Sequence, residues 1–220
     1  MARVRTLAQL RDAARKRADI EGSQHITDPE LNEDINASIA ALHALCVEAS
    51  EDDFATTAAI TTVAGLATYT VTLYKVRSVQ IVDQGYVRDL DRFMLADLPR
   101  LTNSVYGGTG APTMYRMIGG KIMLAPTPQA AYAVTVYGVA ASADLAIDAD
   151  TLDGRDGWEE WVVVDAAIKC AIKEEQDIRD MVTERDRVQA RILSQMRSLD
   201  QGRPPMVQVT RQPWDRDWDA

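Results

Sequence analysis

The sequence predicts an α+β protein: a helical bundle, an inserted antiparallel β-module, and an extended C-terminal arm. Three observations predict it. Apolar residues recur at three- and four-residue spacing near both ends of the chain but not in its middle. Thr, Val, Ile and Tyr dominate from Thr56 onward through runs punctuated by Gly and Pro. The last stretch, 203–220, carries Pro204, Pro205 and Pro213 with Trp214 and Trp218, and has no means of folding alone. The expected division is 1–54 for the N-terminal helices, 55–150 for the β-module, 151–202 for the C-terminal helices and 203–220 for the arm.

Thr6-Leu-Ala-Gln9 has the form of a capping box, and Leu7, Leu10 and Ala14 follow at helical spacing. The first helix is expected over 7–18, with Arg11, Arg15, Lys16 and Arg17 mostly outward. Thr27-Asp-Pro-Glu30 is a second start signal, with Thr27 placed to cap the Glu30 amide and Pro29 in the first turn. Leu31, Ile35, Ile39, Leu42 and Cys46 then mark one long helix over 28–49. Asn32 and Asn36 fall near its apolar edge, where Asn is a surface residue or, less commonly, a buried clamp. Residues 56–63 and 67–71 read as a hairpin turned at Ala64-Gly65. A third strand covers 76–82, and Gly85 turns it into Tyr86–Leu90. Asp91 to Leu98 reads as a short helix capped by Asp91 and stopped by Pro99, and 102–112 as a flexible loop. Met114–Ile118 and Lys121–Ala125 flank Gly119-Gly120, a two-residue turn whose glycines supply positive φ. Tyr132–Ala140 is the last strand.

Asp156-Gly-Trp-Glu159 reads as a capping box for a helix with hardly any polar face, which belongs in the middle of a bundle. Its charged stripe is the i,i+4 pair Asp165 and Lys169. A second helix follows, with Ile178, Met181, Val182, Val188, Ile192, Met196 and Leu199 on one side. Leu10, Leu31, Ile35, Ile39, Leu42, Trp158, Trp161, Val162, Ile168, Val188 and Ile192 are expected to form one helical core.

At 220 residues the chain is long enough to bury a substantial core. No apolar run reaches the length of a membrane span, no membrane partner is expected, and the first residues show no secretion signal. The formal net charge is −9. Between Ala18 and Tyr74 there is no Lys or Arg, while Asp19, Glu21, Asp28, Glu30, Glu33, Asp34, Glu48, Glu51, Asp52 and Asp53 all lie there. The remainder holds 24 basic against 23 acidic residues, so the chain lacks the basic surface that holds DNA by phosphate neutralisation. The acidic run is either a solvated face or a surface that repels nucleic acid or meets a basic partner.

No constellation reads as catalysis, and no cofactor is expected. Asp148-x-Asp150-x-x-Asp153-Gly154…Glu159 approaches a calcium loop, but position 6 is Asp153 instead of Gly. Gly107-Gly-Thr-Gly110 lacks the Lys-Ser/Thr of a phosphate loop. His25 and His43 have no nucleophile and acid partner nearby. Cys46 and Cys170 lie in apolar helical patterns and read as free buried thiols, with no zinc motif.

Leu10-Arg-Asp-Ala-Ala-Arg-Lys-Arg-Ala-Asp19 with Ile26-Thr-Asp-Pro-Glu-Leu-Asn…Ile35-Asn-Ala-Ser-Ile39 resembles the opening of the head-to-tail adaptor (connector) proteins of tailed bacteriophages. Gly157-Trp-Glu-Glu-Trp-Val-Val-Val-Asp-Ala-Ala-Ile-Lys-Cys-Ala-Ile-Lys-Glu-Glu175, the helix after it and the Pro/Trp/Asp tail resemble that family too, so the resemblance spans nearly the whole chain. It implies a structural virion protein at the head–tail junction, assembled from the host cytoplasm. The implied assembly is a ring, normally dodecameric, beneath the portal protein. Such a ring extends the DNA channel without sequence-specific binding and offers a platform to tail or nozzle proteins. A virion-associated hydrolase-type tail factor, and a tail-completion protein that never touches the portal, are the alternatives.

Under this resemblance the arm residues Val207, Val209, Trp214 and Trp218 are the candidate dock onto the portal or a neighbouring subunit. The arm is expected to be loose in the free subunit and fixed in the ring. The alternative dock is Arg11, Arg15, Lys16 and Arg17. Glu30, Glu33, Asp34, Glu48, Glu51, Asp52 and Asp53 are candidates to face the channel or a basic partner.

Overall fold

The computed structural model describes residues 4–22, 25–102, 108–152 and 157–198. In chain order the elements are α1 (Leu7–Arg17), α2 (Asp28–Ala49), β1 (Ala55–Thr61), β2 (Thr68–Thr70), β3 (Leu73–Asp83), β4 (Tyr86–Asp89), β5 (Asp91–Arg92), α3 (Leu98–Thr102), β6 (Thr109–Gly110), β7 (Met114–Ile118), β8 (Lys121–Ala125), β9 (Thr127–Pro128), β10 (Ala133–Ala140), α4 (Trp158–Lys173) and α5 (Arg179–Ser198). The fold is α+β, as the periodicity predicts.

Four helices form the bundle. The capping box of α1 is present: Thr6 Oγ1 accepts from the Gln9 amide at 3.3 Å and Gln9 Oε1 from the Thr6 amide at 3.1 Å. α2 begins after Thr27 as expected, but the Thr27 hydroxyl makes no capping bond. Asp28 and Glu30 instead set negative charge against the positive end of the helix. The cap of α4 also differs: its N-cap is Gly157, at φ 97°, whose amide donates to the Glu159 carboxylate at 3.1 Å. Asp156, expected as the cap, lies outside the described residues. α4 packs against α1, α2 and α5. This central place explains its sequence, because Trp161, Val162, Val164, Ala166, Ala167 and Ala171 are all buried. Of the residues expected in the helical core, all join one cluster except Ile168, which is buried outside it. Leu199 lies beyond the described residues.

The β-module holds two four-stranded sheets, in the orders β1-β10-β3-β4 and β2-β8-β7-β5, and a short pair β6-β9. Val79 and Ile81 of β3, Val134 and Val136 of β10, Tyr115 of β7, and Ile122 and Leu124 of β8 share one core joining the two larger sheets. The β7–β8 hairpin turns at Gly119-Gly120, with φ of 56° and 75°, as expected. The β3–β4 hairpin turns at Gln84-Gly85.

Three expectations fail here. Residues 56–63 and 67–71 do not form a hairpin: β1 pairs with β10 and β2 with β8. The connection between them is a crossover pinned by Tyr69, whose hydroxyl accepts from the Val63 amide at 2.9 Å and donates to the Leu66 carbonyl at 2.7 Å. Asp91–Leu98 is not a helix. Asp91 and Arg92 pair with β7, drawn there by the Arg92 guanidinium, which donates to Tyr115 Oη at 2.9 Å and to the Val76 carbonyl at 2.7 Å. A single 3-10 turn at Leu95–Asp97 leads into α3, and Pro99 sits inside α3 instead of ending a helix, in a first turn that needs no donor there. Within the expected loop, Thr109-Gly110 pair with Thr127-Pro128; 103–107 are not described.

Gly138 marks a register shift between β10 and β3, where a Cβ would overlap the Lys75 carbonyl and lie 3.0 Å from Leu73 Cδ1. The segment after β10 straps back across the bundle. Asn36 is the clamp that holds it, donating to the Leu145 carbonyl at 3.1 Å and accepting from the Leu145 amide at 2.9 Å. Leu145 and Leu152 then sit in the helical core.

Candidate interaction surfaces

The cationic face of α1 is partly spent inside the fold. Arg11 donates to Asp148 at 2.8 Å and to Asn32 at 3.3 Å, and Arg15 donates to Asp28 at 2.8 Å and to the Ile26 carbonyl at 2.9 Å. Their side chains are only 12% and 16% exposed, so the expectation that both point outward is corrected: they staple α1 to the loops around it. Lys16 and Arg17 are exposed, and Arg17 pairs with Glu184 of α5 at 3.0 Å. With Arg5, Glu159 and Glu160 they line a shallow depression.

The acidic run meets cations from outside itself. Glu30 accepts from Lys173 of α4 at 2.7 Å. Glu51 accepts from Lys75 at 2.6 Å and pairs with Arg77 at 3.5 Å, and Asp52 pairs with Arg77. Asp53 accepts from Ser50 Oγ at 2.8 Å. Glu33 and Glu48 are exposed, and Asp34 is half-buried. Burial pushes the Asp34 carboxyl above its usual range; Lys169 opposes this and Glu30 and Glu33 reinforce it. The absence of Lys and Arg between residues 18 and 74 is thus matched by Arg11 and Arg15 before it and by Lys75, Arg77 and Lys173 after it.

Sequence reasoning missed a polar network at the centre of the bundle. Asp165 is 9% exposed and accepts from Ser38 Oγ at 2.8 Å, with Lys169 at 3.3 Å and Arg185 at 3.6 Å. Lys169 also donates to Ser38 Oγ at 2.8 Å and to the Asp34 carbonyl at 3.0 Å. The charged stripe of α4 therefore faces α2 and α5. Its signal was present, a charged i,i+4 pair on a helix otherwise too apolar to be exposed.

At the junction with the module, His43 packs edge-on against Phe54 (5.1 Å) and Tyr74 (6.3 Å), and Phe54 stacks on Trp158 (5.9 Å). Burial lowers the His43 pKa below its ordinary value. Asp150 accepts from the Ala146 and Ile147 amides, which lowers its pKa, and Asp148 binds Arg11, so this loop is tied by its own residues. Among the described residues no group of three His, Cys, Asp or Glu side chains could hold a metal ion. Neither Cys46 nor Cys170 is in a disulfide and both are buried, and burial pushes the Cys170 thiol up to about 11, which keeps it protonated. The arm residues Val207, Val209, Trp214 and Trp218 lie outside the described residues.

Asp165, Lys169, Arg11, Arg15, Glu30 and Glu51 are thus all paired within the fold. The sequence matches the SU10 adaptor protein family over residues 5–213. The chain belongs to this family. No curated protein matches it. Membership makes this a bacteriophage adaptor protein, a structural component of the virion that contacts other virion proteins. No helix among the described residues is long and apolar enough to cross a membrane.

Proposed function

We propose that this SU10-family adaptor forms a ring at the head–tail junction, docked beneath the portal protein. The family match across 5–213 carries this reading. The ring extends the DNA channel, passes DNA without sequence-specific contacts and offers its far face to tail or nozzle proteins. It is structural, not enzymatic. Its subunits collect in the host cytoplasm before joining filled heads, twelve to a ring by analogy with connector proteins. Within each subunit, 1–54 and 151–202 make the wall of the ring, 55–150 a projecting module and 203–220 a docking arm. Such a ring requires head-to-tail contacts between unlike faces of neighbouring copies. The outward residues Lys16 and Arg17 on one side and Glu33 and Glu48 on another supply charge of both signs.

The arm carries the portal contact in this reading, since Trp214 and Trp218 are the aromatic anchors that dominate interfaces. The test is to mix the protein with its portal and image the product, beside a chain ending at Gly202. The full chain should give rings on the portal. The shortened chain should keep its thermal stability and fail to join. Rings of unchanged affinity from the shortened chain would move the dock to the face of α1. Lytic activity of a soluble monomer would replace the adaptor with a hydrolase.

A further inference from the structure

The two larger sheets present four edge strands, and one of them is unguarded. β2 has three residues, β5 two, both charged, and β4 four, with Arg88 and Asp89 among them. Short length and charge are how proteins keep sheet edges from pairing. β1 runs for seven residues, Ala-Thr-Thr-Ala-Ala-Ile-Thr, with no charge, no Pro and no register shift against β10. Among the described residues no strand other than β10 pairs with it.

The ladder fixes which backbone groups are left over. The Thr62 amide donates to the Tyr132 carbonyl directly opposite at 2.9 Å, so Thr62, Ile60, Ala58 and Thr56 bond to β10. The N–H and C=O groups of Thr57, Ala59 and Thr61 therefore point out past the edge. At the far edge the Leu90 amide donates to the Val79 carbonyl at 2.8 Å, which assigns Arg88 and Tyr86 to β3 and leaves Val87 and Asp89 of β4 pointing outward. The register carries Thr61 through Ala133 and Val82 to Val87, and Ala59 through Thr135 and Gln80 to Asp89. On both edges the outward-bonding residues thus carry their side chains on the same face, the one opposite the core. All three pairings are antiparallel, so β1 and β4 run in opposite directions.

We propose that β1 of one subunit pairs antiparallel with β4 of the next copy of this chain, joining their sheets edge to edge. A neighbour in the same orientation brings unused bonding groups opposite each other and keeps core face continuous with core face. The opposite phase would turn the core face of one copy to the solvent side of the next. The contact also gives a neighbour to Tyr86 and Val87, which are 79% and 64% exposed. Each subunit offers one β1 and one β4, so the contact is head-to-tail and closes as a ring, whereas β1 against β1 would stop at two copies. The inference rests on the ring reading and names the contact between its subunits.

Two kinds of variant test it. Ala59→Pro removes an N–H that β10 does not use, so the subunit should stay folded by circular dichroism while ring formation is lost. Rings from this variant as from wild type overturn the inference. Val87→Cys is combined with Ala59→Cys, or with Thr61→Cys for the other register, and the protein is oxidised with copper phenanthroline, free and on its portal. Within one subunit these positions lie at least three strand spacings apart, about 14 Å, too far for a disulfide. One of the double variants should give a ladder of covalent dimers, trimers and higher species, and no single variant should. A dimer from Ala59→Cys alone overturns the inference in favour of two β1 strands together. Rings on the portal without a ladder from either pair overturn the strand contact and leave the ring. A ladder from protein that forms no ring on the portal keeps the contact and removes the ring.

Discussion

Gly138→Ala tests the β-module at its tightest point. Gly138 lies where β10 changes register against β3, and an added Cβ meets the Lys75 carbonyl, a backbone atom with no rotamer to escape into. Restoring an ordinary separation moves one strand on the order of 1 Å. That displacement breaks the Gly138–Val76 and Val139–Lys75 pairings, the two rungs beside the shift. Two ladder bonds at about 1 kcal/mol each, with about 1–2 kcal/mol for repacking around the buried Val76 and Val139, give a loss near 3–4 kcal/mol. For a chain of this size each kcal/mol lowers Tm by about 2–4 °C, so the variant should melt roughly 6–16 °C early. Gly110→Ala is the control. Its nearest neighbour is the side chain of Pro126 at 3.4 Å, and it should lose less than about 1 kcal/mol. Urea unfolding followed by far-UV circular dichroism measures both. A Gly138→Ala protein within about 0.5 kcal/mol of wild type would show that the two strands do not approach as described.

Trp161→Ala empties a site at the heart of the helical core and should cost about 3–5 kcal/mol by the same assay; unchanged melting would make Trp161 an interface residue. Asp165→Ala leaves Lys169 and Arg185 without the carboxylate between them and should cost about 3–5 kcal/mol, with Asp165→Asn costing less because the Ser38 bond survives; equal losses would show that the Ser38 bond contributes nothing. The His43 pKa is lower in the fold than in the unfolded chain, so the unfolded state takes up the proton first as pH falls below about 6.5. Stability contributed by neutral His43 should be complete above that pH and decline below it. The Tm difference between pH 7.5 and pH 5.5 should shrink in His43→Phe, and an unchanged difference would mean that His43 titrates freely.

What was legible in the sequence was local. The α1 capping box, the 28–49 periodicity and Gly119-Gly120 between alternating runs each write a structure into a few adjacent residues. The pairing of β1 with β10 depends on residues about 75 positions apart, and Ala64-Gly65 between two β-rich runs imitates a hairpin that never closes. Asp91 looked like a cap because the pull of Arg92 toward Tyr115, 23 residues on, leaves no local trace. The surfaces follow the same rule. Arg11 and Arg15 fit any outward helix face until the fold brings Asp148 and Asp28 to them. The acidic run looked unopposed because most of its cations sit on β3 and α4.

The central places of α4 and β10 carry a consequence for synthesis on the ribosome. Each is the keystone of its core, and each is made after most of the elements it joins. β1 emerges without a neighbour, and residues up to Ala140 must follow before its partner is complete, a wait of about 4–16 s at ordinary elongation rates. α1 and α2 wait longer still, their apolar faces open until Trp158–Lys173 arrives. Throughout that interval the nascent chain exposes Leu31, Ile35 and Leu42 on a helix whose opposite side bears Glu33 and Glu48. The acidic run from Ala18 to Tyr74, free of Lys and Arg, gives the waiting α2 a repulsive coat against its copies on crowded polysomes.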